Sequence, residues 1–149
     1  QAMRAGGVLT ARETVEKLFE KYRPKGKPSR LKSFFLAASP SEVERLGASS
    51  AKYLYRVQAL GGARGLHRGD FEWLWQAGSL DMAWKMGMGA SLFRGIVSYL
   101  PWQKLPSKIE QQATLKKLVG SYWQGKRSDS FKGWEYLAPK ILVVEGGRA

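Results

Sequence analysis

The chain of 149 residues has the length of one ordinary domain, and its 44% hydrophobic content is enough for a folded core. It contains no cysteine and one histidine, His67, which excludes disulfides, thiolate metal sites and clustered histidine ligands and disfavours a Ser-His-Asp triad. The formal net charge of +13 favours a polyanionic partner, nucleic acid above all, with an anionic membrane surface or an acidic protein as alternatives.

No targeting or membrane pattern is found in the sequence. No apolar run approaches the roughly 20 residues needed to span a bilayer, and no secretory signal is seen, so a cytoplasmic chain without membrane contact is expected. Residues 1–3 are interpreted as an expression remnant ahead of the native start, and residues 4–149 as a single basic helical domain. No cofactor and no metal site are predicted.

The first third of the chain carries helix signals and a basic tract. Thr10 and Glu13 form a capping box for a first helix that ends before Pro24. Residues 21–32 then contain six basic residues and no acid. Proline and glycine in this tract predict a loop, either a phosphate-binding arm or a solvated charged segment. After it, the apolar spacing predicts a second helix over Leu31, Phe34 and Phe35.

Two further helices and a loop are predicted between residues 39 and 69. Ser39 and Glu42 form a second capping box, with Pro40 at the first helical position, for a helix that stops at Gly47. Ser50 is expected to cap the next helix, which ends at a glycine pair. The apolar positions of that helix are Tyr53, Leu54, Val57 and Leu60. Residues 61–69 predict a glycine- and arginine-rich loop in which His67 is exposed.

The remaining chain predicts three helices and a small β element. Asp70 caps a helix over residues 71–77 that ends at Gly78, and another helix opens at Ser79. Ser107 and Glu110 form a third capping box for a helix running to about Trp123. Residues 134–137 and 140–144 read as short strands, with a β-hairpin expected over 134–144. The predicted fold is mainly α, a multi-helix domain with a short C-terminal β element.

Residues 79–100, SLDMAWKMGMGASLFRGIVSYL, have the spacing of a helix-turn-helix. Two short helices that cross through a tight turn need a small residue at the crossing and a residue that tolerates positive φ in the turn. Ala83 and Gly87 meet these demands. The apolar residues at the inward positions are Met82, Met86, Met88, Phe93 and Ile96. This pattern resembles the helix-turn-helix of bacterial and phage transcriptional regulators.

The resemblance implies a DNA-binding module, regulatory or architectural, whose second helix enters the major groove of duplex DNA, with a homodimer as one form. The corresponding base or groove contacts are Gly89, Ala90, Ser91, Arg94, Gly95 and Ser98. Arg94 is the strongest of them, because arginine can contact guanine with two hydrogen bonds. The predicted phosphate contacts are Lys85, Lys104 and Lys108 beside the motif, and Lys25, Lys27 and Arg30 in the basic tract.

Other interpretations stay open at this stage. Residues 41–60 have a similar outline but read better as two ordinary helices joined at Gly47. Residues 141–147, ILVVEGG, resemble the strand and glutamate that open Toprim nuclease and primase domains, so one alternative is a nucleic-acid-processing enzyme or enzyme fragment with Glu145 as its acid. A basic protein-interaction domain is a second alternative. The six tryptophans have the ring surface to stack on bases, but their helical spacing is typical of a core, and Trp73 and Trp84 are assigned to it.

Overall fold

The computed structural model describes residues 13–46, 53–62, 65–85 and 106–148. The helices in these ranges are α1 (13–21), α2 (Pro40–Arg45), α3 (Glu72–Lys85) and α4 (Lys108–Trp123), with a 3-10 turn at Arg30–Lys32. The strands are β1 (Phe34–Leu36), β2 (Tyr53–Ala59), β3 (His67–Asp70), β4 (Trp134–Ala138) and β5 (Ile141–Arg148).

The described strands form two antiparallel sheets. One has three strands in the order β1-β4-β3, and the other pairs β2 with β5. The prediction of a mainly α fold is therefore wrong, because the described chain is a mixture of helices and sheets. The predicted hairpin over 134–144 is wrong as well, although both of its strands exist. Each of them pairs with strands that are distant in sequence, β4 with β1 and β3, and β5 with β2.

Three predicted local structures are replaced by strands. The helix proposed from Ser50 is β2, the helix proposed at Phe34 and Phe35 is β1, and the loop proposed at residues 61–69 ends in β3. The apolar spacing of YLYRVQA fits a helix, but its aromatic and β-branched residues also suit a strand, and β5 supplies the partner. Residues 41–60 therefore form neither a second helix-turn-helix nor two ordinary helices, because α2 is followed by the strand β2.

Gly78 does not end a helix, because α3 runs unbroken from Glu72 to Lys85. A Cβ atom added at Gly78 would lie 2.6 Å from the Cγ2 atom of Val15 on α1. The glycine thus lets α1 approach α3 closely, and its role is in packing. The predicted helix start at Ser79 is consequently a buried position in the middle of α3.

The predicted caps are confirmed where the structure describes them. The Ser39 hydroxyl accepts from the backbone N–H of Glu42, with Pro40 opening α2. The Glu42 carboxylate accepts from the backbone N–H of Ala38, so only the serine half of the predicted capping box is confirmed there. Ser107 and Glu110 make the full capping box of α4, which ends at Trp123 as expected. An Asp70 carboxylate oxygen accepts from the backbone N–H of Glu72, 3.0 Å away, at the start of α3. These helix ends can be predicted from the sequence because side chains within one turn of them form the caps.

The core lies between α1, α3 and α4 and one face of the three-stranded sheet. Its largest fully buried side chains include Trp123, Tyr122, Phe19, Leu80 and Leu137. Trp84 is buried and Trp73 packs against the core, as the sequence predicted. None of the described helices combines the length and apolar character required to cross a membrane.

Candidate functional site

The distribution of charge shows which basic residues are available to a partner. The chain has 25 basic and 12 acidic residues, and most of the acids already bond to a side chain or a helix end. The acids with such partners are Glu13, Glu16, Glu20, Glu42, Asp70, Glu72, Asp81, Glu110, Glu135 and Glu145. The described basic residues that form no ion pair with a described acid include Lys21, Lys25, Lys32, Arg45, Arg68, Lys108, Lys116, Lys117, Lys126, Arg127 and Lys140.

Two of these arginines lie over aromatic rings that contact each other. The guanidinium carbon of Arg127 is 4.1 Å from the ring centroid of Phe131. The ring centroids of Phe131 and Trp134 are 4.8 Å apart. The guanidinium carbon of Arg68 is likewise 4.1 Å from the Trp134 ring centroid. These four residues are the arginine–aromatic stack. Both of its arginines are exposed and both of its rings are half-buried.

The stack joins β3, β4 and the loop between α4 and β4, residues 124–133. Arg68 lies opposite Tyr136 in the register, and Asp70 lies opposite Trp134. Residues opposite each other, and those two apart on one strand, share a sheet face. Arg68 and Trp134 therefore stand diagonally on the same face. A guanidinium over a ring keeps its edge N–H groups for an anion, and this arrangement suits phosphate binding.

The start of the loop is fixed by the way α4 ends. The N–H of Gly125 donates to the carbonyl of Tyr122, and the N–H of Lys126 donates to the carbonyl of Ser121, each at 3.0 Å. This pair of bonds is a Schellman motif, which requires a left-handed residue directly after the helix cap. Gly125 meets the requirement with a φ of 67°. The motif turns the chain so that Lys126 and Arg127 leave the helix on a defined path.

Buried Asp70 holds the middle of the loop. Its Oδ2 atom accepts from the backbone N–H of Ser128 at 2.6 Å and from the Ser128 hydroxyl at 2.7 Å. The Nε1 of Trp73 donates to the carbonyl of Lys126 at 2.8 Å. Gln76 on α3 adds a bond from Nε2 to the Ser130 hydroxyl at 3.3 Å. The loop that carries Arg127 is thus tied to α3 and β3 and is organised before any ligand arrives.

A second constellation is buried beneath α1 and contains Arg30. Its guanidinium donates to both carboxylate oxygens of Glu16, at 2.7 and 3.1 Å, and to Oε1 of Glu135 and the Tyr122 hydroxyl. The Tyr122 hydroxyl in turn donates to Oε1 of Glu135 at 2.7 Å. Burial alone would lower the pKa of Arg30, but the carboxylates raise it above its ordinary value. Burial and the Glu135 charge raise the pKa of Tyr122, so its phenol stays neutral.

His67 is buried against α4, so its predicted surface position is wrong. Its ring contacts those of Tyr122 and Trp123, with centroids 5.2 and 4.9 Å away. Burial lowers the pKa of His67 to about 4, with a further contribution from the positive charge of Lys27. The sequence predicted a loop here because the residues around it are glycine and arginine, whereas pairing of β3 with β4 places the imidazole inside.

This burial makes stability depend on pH. The unfolded imidazole titrates near 6.5 and the folded one near 4, so between these values the unfolded chain binds more protons and stability falls as pH falls. We expect the wild-type protein to lose about 1.4 kcal/mol of unfolding free energy between pH 7.5 and pH 5.5. Urea titration at both values measures the loss. His67→Phe should abolish this difference. Equal stability of the wild type at the two pH values would contradict the burial of a neutral His67.

The structure gives mixed outcomes for the predicted contact residues. The prediction of Arg30 as a phosphate contact is wrong, because Arg30 is only 3% exposed and forms ion pairs with two buried carboxylates. Lys85 is exposed but bonds to Asp81 at 2.7 Å. Lys25 and Lys108 are exposed and Lys27 is half-buried, so these three remain predictions. The predicted contacts outside the described residues are Gly89, Ala90, Ser91, Arg94, Gly95, Ser98 and Lys104.

The helix-turn-helix pattern is described only in its first part, which lies in α3. Ala83 is buried as the pattern requires, but Met82, expected to face inward, is 47% exposed. The turn at Gly87 and the second helix lie outside the described residues. Glu145, the acid of the enzyme alternative, is exposed on β5 with Arg56 3.8 Å away. Among the described residues, no three histidine, aspartate or glutamate side chains are placed to hold a metal ion.

Sequence reasoning missed the members of the arginine–aromatic stack as a group. The signal that was available is the segment GKRSDSFKGW, which contains three basic and two aromatic residues just after a predicted helix end. Its geometry depends on Arg68, which lies 59 positions or more before the other members. No local pattern connects these residues.

No protein-family model, curated protein or solved structure matches the chain.

Proposed function

We propose that the protein binds the phosphate backbone of nucleic acid, with duplex DNA as the expected partner. The arginine–aromatic stack is the principal contact surface. The observation that carries the proposal is the pair of exposed arginines, Arg68 and Arg127. Each lies over one of two aromatic rings that contact each other, and neither forms an ion pair with a described acid. Arginine on such a platform presents several donors in a fixed plane, which matches the oxygens of a phosphate.

Two further features support this function. The anchored loop means that little conformational entropy is lost when the arginines bind. The surplus of basic residues attracts polyanions over long range. It also adds a contribution to affinity from phosphate contacts that does not depend on the nucleic-acid sequence. The stack contacts phosphates rather than base edges, so it is expected to tolerate any sequence.

The proposal is tested with single variants of the two arginines. We expect Arg68→Ala and Arg127→Ala each to weaken binding of a labelled 20-base-pair duplex about three- to tenfold, because each change removes a charge-assisted contact of about 1 kcal/mol. Fluorescence anisotropy at fixed salt measures the affinity. Asp129→Asn removes the only acid of the loop and should strengthen binding.

Arg56→Ala is the matched control, since Arg56 is an exposed arginine on the other sheet. It removes the same charge and should change affinity less than twofold. Lysine at position 68 or 127 should restore binding only in part, because it lacks the planar fork. Equal losses for Arg56→Ala and Arg68→Ala would reduce the stack to an ordinary part of a diffuse basic surface.

A further inference from the structure

Next to the buried Arg30 constellation lies a cavity of about 530 Å³. This volume is in the range of small-molecule sites, which are mostly apolar and carry a few placed polar groups. The charged lining consists of Arg30, Glu16 and Glu135, and most of the other lining residues are apolar or aromatic. The exposed aromatic rings at the cavity are Phe35 and Trp75, which are 42% and 54% exposed.

The charges at this cavity do not balance. Two carboxylates, Glu16 and Glu135, face one guanidinium, and no other described basic residue forms an ion pair with either of them. The Tyr122 phenol contributes no charge, since it stays neutral. The cluster therefore holds one negative charge in excess, among residues that are each less than one-tenth exposed. An uncompensated buried charge is costly, and a cation placed beside it recovers part of that cost.

Glu135 has the acceptor capacity to take such a cation. Its Oε1 atom receives both the Arg30 guanidinium and the Tyr122 hydroxyl. Among the described residues, its Oε2 atom has only a long contact of 3.5 Å to Arg30, at the limit of a hydrogen bond. Each carboxylate oxygen has two lone pairs, so Oε2 has room for a second donor. The carboxylate also lines the cavity, where a ligand nitrogen has access to it.

We propose that this cavity binds a small organic cation, a primary amine on a flat aromatic or compact apolar body. The ammonium group bonds to Glu135, while the body packs against the apolar wall between Phe35 and Trp75. An aromatic wall also favours a cation and a flat ring by stacking. The site is separate from the arginine–aromatic stack, and its ligand has the opposite charge to nucleic acid.

Three indoles that differ only in one functional group test the charge requirement. Tryptamine carries an ammonium, tryptophol a neutral hydroxyl and indole-3-acetate a carboxylate. We expect calorimetric titration at 0.15 M salt to show tryptamine binding at least tenfold more tightly than tryptophol, with no binding of indole-3-acetate. Equal affinity for tryptamine and tryptophol, tightest binding of indole-3-acetate, or no binding of any of the three would overturn the proposal.

Two variants locate the site. Glu135→Gln keeps the Arg30–Glu16 pair and should remove the preference for tryptamine over tryptophol. Trp75→Ala changes an exposed wall residue away from the buried charges, so it keeps the test informative if Glu135→Gln fails to fold. It should weaken tryptamine and tryptophol to a similar degree, at least threefold. Arg68→Ala is the control and should leave tryptamine binding unchanged, whereas a loss in Arg68→Ala but not in Trp75→Ala would assign the amine to the stack and overturn the cavity site.

Discussion

Arg30→Met is expected to destabilise the protein by about 3 to 5 kcal/mol. The substitution keeps most of the side-chain volume but leaves Glu16 and Glu135 facing each other without the cation between them. Removing one partner of a buried ion pair is more costly than removing the whole group, because the remaining charge loses its compensation in a poorly solvated position. Urea unfolding at pH 7.5 measures the change, provided that the transition is two-state.

A triple variant separates charge from packing. Arg30→Met combined with Glu16→Gln and Glu135→Gln removes all three charges while preserving shape. We expect it to recover at least half of the loss seen for Arg30→Met alone. If Arg30→Met costs less than about 1 kcal/mol, the guanidinium does not hold α1 to β4 and the buried cluster has been assigned the wrong role.

Gly69→Ala is expected to cost about 3 kcal/mol or more, through a steric clash with Tyr122. A Cβ atom at residue 69 would lie 2.2 Å from Cε2 and 2.5 Å from Cδ2 of the Tyr122 ring. The ring has little freedom to move, since its hydroxyl bonds to Glu135 and it packs edge-to-face with Phe19 at a centroid distance of 5.2 Å. Relief of the clash therefore requires β3 to shift. Thermal and urea unfolding measure the loss.

Gly120→Ala is the matched control in the same part of the molecule. Gly120 lies within α4, and a Cβ atom added there has no heavy atom within 4 Å. Alanine favours the helix by roughly 0.5 to 1 kcal/mol relative to glycine, so this variant should be as stable as the wild type or more so. A Gly69→Ala protein that unfolds like the wild type would show that β3 does not press against Tyr122.

The helix ends were predictable because their chemistry is local. Ser107 and Glu110 are three residues apart, and Asp70 bonds to the N–H two residues on. Both patterns lie within one turn of sequence, where capping rules apply directly. The starts of α3 and α4 were found for this reason.

Strand pairing and the buried charge cluster were not predictable, because they depend on residues far apart in the chain. Arg30 bonds to Glu135, 105 positions away, and β2 pairs with β5 across most of the sequence. A basic residue in a lysine-rich tract has the same local signature whether it faces water or two buried acids. The sequence therefore placed Arg30 with the phosphate contacts and Tyr53–Ala59 in a helix.

The salt dependence of DNA binding tests the central proposal most directly. Each phosphate contact contributes about 0.9 to the slope of log affinity against log salt on duplex DNA. The variant with both Arg68→Ala and Arg127→Ala should therefore show a slope smaller in magnitude by about 1.8, while Arg56→Ala keeps the wild-type slope. Parallel lines for the wild type and the double variant, at any affinity, would contradict the assignment of the arginine–aromatic stack as the nucleic-acid contact surface.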